Sequence, residues 1–380
     1  MQTGSGRYVF GGRTGWIRLS VAVGLIFVIG FVFQIATVQG ASLENVQPLV
    51  IPSFDHVVIV IEENKGYADV IGKEYAPYIN SLGSQGAVFT NAHGDWHPSQ
   101  PNYFALFSGS MQNIVGDDCP LKTLAGQSPH LDESLGGTLL ARYTNGFGAY
   151  AENLPQKDIG ACFAYVPQGS HQLKETNDDP GKKDARNDQY ARKHNPWVSF
   201  TNLQGKIHDG KLFPNYNVDY AAHPQMCSPT NASVYNDLPV VSFVIPNNQN
   251  DMHTGQSISE EVSRGDTWLK QHLSCYAEWA MNHNSLLIVT WDEDSSTDAC
   301  KGKDAGSGVC EMTYPDKGQH TGTIPENNII PTIFAGAHVK AGQYSEWINH
   351  YNILRTLEDM YRLKYLGVSA SVQSIADVWQ

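Results

Sequence analysis

Short, unbroken runs of apolar residues are the feature that most constrains the fold of this chain. Three of them have the length of a β-strand and are rich in Val, Ile and Leu, namely HVVIVI (56–61), PVVSFVI (239–245) and LLIVTW (286–291). A strand without polar alternation is typical of a sheet that is covered on both faces, and such sheets are mostly parallel. These runs therefore predict an α/β fold.

Segments with helical signals alternate with strands along the chain. The helical segments are APYINSLGSQG (76–86), QPNYFALFSG (100–109), the region around Leu269, Leu273, Tyr276 and Ala280, and YNILRTLEDMY (351–361). Further strands are predicted at AVFT (87–90) and NIIPTIFAG (328–336). This alternation indicates a mostly parallel sheet sandwiched by helices, in a single domain over residues 41–380.

The first forty residues are typical of a targeting segment. Arg13 and Arg18 precede the apolar stretch 19–33, and the small residues Gly40 and Ala41 follow it. This order predicts a cleaved signal peptide. The alternative is an uncleaved anchor that attaches the protein to a membrane, because residues 19–38 are just long enough to span a bilayer. Both interpretations place the rest of the chain outside the cytoplasm.

Charge and cysteine content narrow the classes of function. The formal net charge is −13, which repels phosphate backbones, so we expect no nucleic-acid binding. Six cysteines fit an oxidising compartment, and Cys300 with Cys310 is the first disulfide that we expect.

Polar residues follow three of the predicted strands. These residues are Glu62, Glu63 and Asn64, then Asp251 and His253, then Asp292, Glu293 and Asp294. In open α/β sheets, ligands bind beyond the carboxyl ends of the strands. One interpretation is a set of solvated turns. The other is a site for a divalent cation (Mg²⁺, Ca²⁺, Mn²⁺ or Zn²⁺), because carboxylates gathered in a cleft repel one another unless a cation neutralises them.

Ser99 lies just before a predicted helix, in HGDWHPSQPNYFALFSG (93–109). A hydroxyl at this position is commonly a helix cap. It is also well placed as a nucleophile for phosphoryl transfer, because the helix N-terminus favours an anion and a nearby metal would lower the serine pKa. Asn102, in the first turn, either donates to a phosphoryl oxygen or only tolerates the helix start.

Several motifs together resemble a known protein family. They are DHVVIVIEENKGYADVIG, APYINSLGSQGAVFTNAHGDWHPSQPNYFALFSGS, KHNPWVSF, FVIPNNQNDMHTG, SLLIVTWDED and HYNILRTLEDMY. In this order they are similar to the bacterial phosphoesterase family of secreted acid phosphatases and phospholipases C. HPSQPNY is the motif shared with the acid phosphatase branch. The resemblance implies an alkaline-phosphatase-like fold.

The same resemblance implies roles for individual residues. Glu63 and Asn64 match one pair of metal ligands, and Asp292 and Glu293 match the second pair. Ser99 matches the nucleophile that becomes phosphorylated. His194 and His253 match histidines that contact the phosphoryl group or protonate the leaving oxygen.

Two positions depart from the pattern of the family or stay open. Glu62 stands where many relatives have an apolar residue, so the first carboxylate ligand could be shifted by one residue. His320 is a further candidate for the site, against an ordinary loop histidine.

The expected function is an exported, metal-dependent acid phosphatase that hydrolyses small phosphate monoesters through a phosphoserine. One alternative is a phosphodiesterase of the phospholipase C type. The other is a membrane-anchored binding protein that has the fold but no turnover.

Overall fold

The computed structural model describes residues 51–114, 116–117, 120–123, 126–152, 163–165, 172–174, 190–203, 235–295 and 328–380. The α-helices of these residues are α1 (Tyr67–Val70), α2 (Pro77–Gln85), α3 (Ser99–Ser108), α4 (Leu135–Arg142), α5 (Ile258–Ala280) and α6 (His350–Tyr361). Short 3₁₀ helices lie at Arg192–His194, Pro196–Ser199, Thr201–Leu203 and Gly367–Ser371.

Ten strands accompany these helices. They are β1 (His56–Glu62), β2 (Ala87–His93), β3 (Phe147–Ala151), β4 (Phe163–Tyr165), β5 (Gln172–Lys174), β6 (Val241–Ile245), β7 (Ser285–Trp291), β8 (Ile329–Gly336), β9 (Gly342–Tyr344) and β10 (Ile348–Asn349). Strands β4 and β5 form a separate antiparallel pair.

The main sheet has the strand order β10–β2–β8–β7–β1–β6–β3, and β9 pairs with β2. Among the described strands of this sheet, only the two pairings made by β8, with β7 and with β2, are antiparallel. The other strands of this sheet therefore run in one direction, and their carboxyl ends lie at one edge. The chain enters β8 at that same edge, because β8 runs the opposite way.

The centre of the sheet is covered on both faces. Every residue of β7 is buried, as the unbroken apolar run predicts. Helix α3 is buried over all ten of its residues, and Phe107 in this helix packs on Phe147 and Phe243 of β3 and β6. Because α3 is held in the core at one end of the sheet, its first residue has a fixed position relative to the strand ends.

The predicted mostly parallel α/β fold is confirmed. The strands expected in residues 56–61, 239–245, 286–291 and 328–336 are present, as are the four expected helices. Several elements were not predicted, and two differences concern the main sheet. Strand β3 (FGAYA) is short and contains a glycine and two alanines, and the reversed direction of β8 leaves no mark in an apolar run.

Some predictions fall on residues outside the described ranges, namely the targeting segment 1–40, the pair Cys300 and Cys310, and His320. Within the described ranges, no helix is both long enough and apolar enough to cross a membrane.

Candidate active site

The two acidic strand ends meet because β1 and β7 pair in parallel with Glu62 opposite Trp291. The next residues along, Glu63 and Asp292, therefore leave the sheet side by side. The backbone N–H of Asn64 donates to Asp292 Oδ1 at 3.0 Å, and the Asn64 amide Nδ2 donates to Glu293 Oε1 at 2.7 Å. The structure thus brings together the four residues that were predicted to bind a metal.

Asn64 has a left-handed backbone conformation, with φ of 46°. Asparagine tolerates this region better than most residues. Its carbonyl oxygen accepts a hydrogen bond from Lys65 Nζ at 3.0 Å, and the same ammonium lies 3.1 Å from Glu261 Oε2 on α5. Lys65 therefore ties the backbone of the turn after β1 to the long helix α5.

Ser99 is the first residue of α3, and it faces the same carboxylates. Its hydroxyl lies within hydrogen-bonding distance of Glu63 Oε2, at 3.0 Å, and of Glu293 Oε1, at 3.3 Å. The helix is preceded by Pro98 at the N-cap position, where no side chain caps the helix. The interpretation of Ser99 as a plain helix cap is therefore wrong, because its hydroxyl is directed at the strand-end carboxylates.

Crowding of buried carboxylates raises their pKa values. Burial raises the pKa of Glu63 well above its ordinary value, and the charge of Asp292 adds to the effect. Burial likewise raises the pKa of Asp292, and burial together with the Asp292 charge raises the pKa of Glu293 to about 7. Each shift means that the ionised form lacks enough positive charge nearby.

The donor atoms fit a divalent cation in their chemistry. Asn64 Oδ1 and Asp292 Oδ2 are buried and have no hydrogen-bond partner among the described residues. With the Glu63 and Glu293 carboxylates they make a set of hard oxygen donors, which Mg²⁺, Ca²⁺ and Mn²⁺ prefer. No three His, Cys, Asp or Glu side chains in the described ranges are spaced to hold an ion as they stand. The fit to a divalent cation therefore rests on two observations. Asn64 Oδ1 and Asp292 Oδ2 have no hydrogen-bond partner among the described residues, and the neighbouring carboxylates gather negative charge.

Comparison with known proteins decides the family. The phosphoesterase family matches residues 73–364 of this chain. The chain belongs to the phosphoesterase family. It is 39% identical over 329 residues to phosphatidylinositol-3-phosphatase of Mycobacterium tuberculosis, covering 87% of this chain and 84% of that protein. The predicted family is confirmed, and this phosphoesterase is a hydrolase that acts on phosphoric esters.

Two further similarities are more distant. The phosphoesterase is 25% identical to an acid phosphatase of Aspergillus fumigatus over 87% of its own chain, and it spans only 60% of that relative's length. Among solved structures, it resembles a protein in the alkaline phosphatase superfamily from Vibrio parahaemolyticus, with 11% identity and a TM-score of 0.47. That similarity covers 86% of this chain and 72% of the other.

His194 reaches the site from the 3₁₀ helix Arg192–His194. Its Nε2 lies 3.1 Å from Glu63 Oε1 and its Nδ1 lies 3.5 Å from Asp251 Oδ2, but neither contact is aligned as a hydrogen bond within the described ranges. Burial lowers the pKa of His194 well below its ordinary value, and the charge of Lys193 lowers it further. The ring is therefore neutral at mildly acidic pH.

His253 also belongs to this edge of the sheet, and its backbone N–H donates to Asp251 Oδ1 at 2.9 Å. Burial lowers the pKa of His253 to about 4, with the charges of Lys193 and Lys65 acting in the same direction. The lowered pKa values favour the neutral imidazole, with one protonated ring nitrogen, for both predicted histidines. A neutral imidazole can accept a proton, and a negative charge placed beside it would raise its pKa.

His97, the first residue of the HPSQPNY motif, is a residue of the site that was not predicted. Its Nδ1 lies 2.6 Å from Glu293 Oε2 and its Nε2 lies 3.4 Å from Asp294 Oδ1. Burial acts to lower the pKa of His97, but the interactions with Asp294 and Glu293 outweigh it and raise that pKa to about 10. The raised pKa favours the charged form of the His97 imidazole. Asp294, for which the sequence indicated no role, is one of its partners.

Tyr103 was also missed. Its hydroxyl donates to Glu63 Oε1 at 2.6 Å, and its ring stacks on His194 with the centroids 5.1 Å apart. A signal for it exists in the sequence, because Tyr103 lies four residues after Ser99 and so shares its face of the helix. Tyr103 places the Glu63 carboxylate and the His194 ring at once.

Asn102 and Glu62 occupy positions beside the site. The Asn102 amide oxygen accepts from the backbone N–H groups of Asp95 and Trp96 at 2.8 Å each, and its nitrogen donates to Trp96 O at 2.9 Å. The amide is thus engaged in holding the loop before Ser99. The Glu62 carboxylate makes no hydrogen bond among the described residues, whereas the Glu63 carboxylate contacts Ser99.

The protein freed of divalent cations should lose stability as the pH rises from about 5 to about 7.5. A carboxyl group whose pKa is raised by folding, as that of Glu293 is, contributes stability that is complete below its unfolded pKa and is lost as the pH passes the folded pKa of about 7. In urea unfolding with a chelator, the free energy of unfolding should fall between these two pH values by about 2 kcal/mol less in Glu293→Gln than in the wild type.

The control is Glu133→Gln, because the Glu133 side chain is 58% exposed and paired with Lys364. This variant should follow the wild-type pH profile. Identical profiles for the wild type and Glu293→Gln would contradict the raised pKa.

Proposed function

We propose that this protein is an exported, metal-dependent phosphatase that hydrolyses phosphate monoesters through a phosphorylated Ser99. The observation that carries the proposal is the Ser99 hydroxyl, which lies at the start of a buried helix and within 3.3 Å of two strand-end carboxylates. A helix N-terminus favours the anionic phosphoryl group, and the donor oxygens provide for a cation. Export is supported by the predicted targeting segment alone.

A divalent cation would be held by Glu63, Asn64, Asp292 and Glu293, and it would supply positive charge for the phosphoryl oxygens and lower the pKa of the serine. The residues of the chain provide the rest. The Ser99 hydroxyl points at Glu63 Oε2, so this carboxylate is placed to take the proton as Ser99 Oγ bonds to phosphorus. The ester P–O bond breaks on the opposite side, and the alkoxide leaves.

The leaving oxygen needs a proton, and His194 or His253 would provide it. Both imidazoles are neutral before substrate binds, because their pKa values are lowered. A phosphate dianion next to them raises those values by direct charge interaction and loads the proton. After the alcohol has left, water attacks the phosphorus of phospho-Ser99 and the neutral imidazole accepts a proton from it. The P–Oγ bond breaks, inorganic phosphate is released, and Glu63 returns its proton to Ser99 Oγ.

Removing the nucleophile should abolish turnover. Ser99→Ala should reduce kcat on a chromogenic phosphate monoester by at least about 10³-fold, since no hydroxyl remains to accept the phosphoryl group. Ser84→Ala removes an exposed hydroxyl on α2 and should keep the wild-type rate. Near-wild-type turnover by Ser99→Ala would rule out the phosphoserine route.

Metal dependence has its own test. Asp292→Asn should lose both bound metal, measured by elemental analysis of the purified protein, and activity, because one anionic ligand becomes neutral. Glu62→Gln is the matched control, since Glu62 is equally buried and precedes Glu63 without touching Ser99. Retention of both metal and rate by Asp292→Asn would contradict the assignment of the ligands.

The substrate could also be a phosphorylated lipid headgroup. One relative, at 39% identity, is named phosphatidylinositol-3-phosphatase, so a phosphoinositide monoester is the second candidate. The third is a phosphodiester, as in phospholipase C. The identity of the product separates these classes, because a monoesterase releases inorganic phosphate and a phospholipase C releases a phosphorylated headgroup.

We expect inorganic phosphate from p-nitrophenyl phosphate and from vesicles that contain phosphatidylinositol 3-phosphate, and no phosphocholine from phosphatidylcholine vesicles. Release of phosphocholine at a comparable rate would favour the diesterase. Hydrolysis of none of the three, with Mg²⁺, Ca²⁺, Mn²⁺ and Zn²⁺ each added, would favour the binding protein without turnover.

A further inference from the structure

His350, the first residue of α6, makes two hydrogen bonds in a fully buried position. Its Nδ1 lies 2.8 Å from Asp95 Oδ2, and its Nε2 lies 2.8 Å from the backbone oxygen of Trp291. The side chain is only 1% exposed. A carbonyl oxygen can only accept, so Nε2 carries a hydrogen. The proton between Nδ1 and Asp95 belongs to the imidazole, because an imidazole is ordinarily more basic than a carboxylate.

Asp95 belongs to the loop that leads into the nucleophile. This loop leaves β2 and reaches Ser99 four residues after Asp95. The backbone N–H of Asp95 donates to the Asn102 amide oxygen at 2.8 Å, and Asp95 Oδ1 accepts from Asn349 Nδ2 at 2.8 Å. The carboxylate therefore joins the loop before α3 to the start of α6.

Trp291 belongs to the other side of the site. It is the last residue of β7, and Asp292 and Glu293 follow it directly. The hydrogen bond from His350 to the Trp291 carbonyl thus holds the backbone from which these carboxylates project. One buried imidazole connects the loop that carries the nucleophile with the turn that carries the proposed metal ligands.

We propose that the Asp95–His350 pair is a positioning element that fixes Ser99 against the Asp292–Glu293 turn. The proposal rests on the function proposed above for Ser99, and neither residue touches the substrate. The pair maintains the two distances from Ser99 Oγ, which are 3.0 Å to Glu63 Oε2 and 3.3 Å to Glu293 Oε1. A displacement of about 1 Å between reacting groups can cost about 10²-fold in rate.

A second connection between the same segments limits the expected loss. Asn328 Oδ1 accepts from the backbone N–H of Asp294 at 2.7 Å, and Asn328 Nδ2 donates to Trp96 O at 3.3 Å. This bridge stays in place when His350 is replaced. We therefore expect the two segments to shift relative to each other while the fold is retained.

The kinetic test compares two substitutions. His350→Leu removes both hydrogen bonds and should lower kcat by about 30- to 100-fold while KM changes by less than about threefold, because positioning acts on the transition state. Asp95→Asn keeps the shape of the pair, since an amide can donate to Nδ1 while Nε2 still donates to Trp291. Its kcat should stay within about fivefold of the wild type.

Glu358→Leu is the matched control on the same helix. Glu358 is buried, and its carboxylate accepts from the backbone N–H of Leu366 at 2.8 Å and from the Ser369 hydroxyl, away from Ser99. This variant should lose thermal stability to a degree similar to His350→Leu and keep kcat within about threefold. All rates are measured at least about 20 °C below the Tm of each variant.

Three kinetic outcomes would overturn the proposal. The first is an unchanged kcat in His350→Leu despite a lower Tm, which would make His350 a residue of stability alone. The second is an equal loss of kcat in Glu358→Leu. The third is a loss in Asp95→Asn as large as that in His350→Leu. If His350→Leu does not fold, the kcat of Asp95→Asn still tests the positioning role of the pair.

A structural arm separates this inference from the proposed function. In a crystal structure of His350→Leu, or of His350→Asn if the first does not fold, the distance from Ser99 Oγ to Glu293 Oε1 should exceed the 3.3 Å of the wild type. An unchanged distance would overturn the positioning role whatever the activity. An altered distance in an enzyme whose wild type hydrolyses no phosphate ester would instead sink the proposed function.

Discussion

The burial of several carboxylates around one serine hydroxyl is the constraint on which the rest of the site depends. The parallel pairing of β1 with β7 makes it unavoidable, because Glu63 and Asp292 leave the sheet as neighbours. Carboxylates in a medium of low dielectric constant repel one another strongly and lack the hydration that water would give. Such a site requires positive charge or protons from its surroundings.

Neighbouring side chains supply this positive charge and these protons to the carboxylates. His97 carries a positive charge against Glu293, and Tyr103 donates a hydroxyl hydrogen to Glu63. Lys193 pairs with Asp117 at 2.7 Å, and its charge partly offsets the rise that burial causes in the pKa values of Glu63 and Asp292. The fully buried Glu62 carboxylate has no hydrogen-bond donor in the part of the chain that the structure describes, and burial and the nearby acids raise its pKa well above its ordinary value.

The sheet and the strand-end carboxylates could be predicted because both depend on local patterns. An apolar run of Val, Ile and Leu shows where a strand is buried, and the acids that follow it mark the edge where strands end. The partners of these acids could not be read in the same way. Asp95 and His350 are 255 residues apart in the sequence, and only the direction of β2, β10 and α6 places them in contact.

The states of the histidines also lay beyond sequence reasoning. His97, His194 and His253 share one ordinary pKa, and burial acts to lower it for all three. The interactions of His97 with Asp294 and Glu293 outweigh burial and raise its pKa, whereas the charge of Lys193 lowers the pKa values of His194 and His253 further. Which environment each ring meets depends on loops that converge from four strands. A motif places a histidine near a site, but the folded surroundings decide whether it holds a proton.

The reversed direction of β8 has a consequence for how such a protein can change over evolution. The chain leaves the sheet after Trp291 and returns at Ile329, and both residues lie at the edge that holds Ser99. A parallel neighbour would have required the chain to cross to the opposite edge first. The two ends of this connection are joined by the hydrogen bond from the backbone N–H of Asp294 to Asn328 Oδ1 at 2.7 Å, so its length can vary without changing the register of either strand.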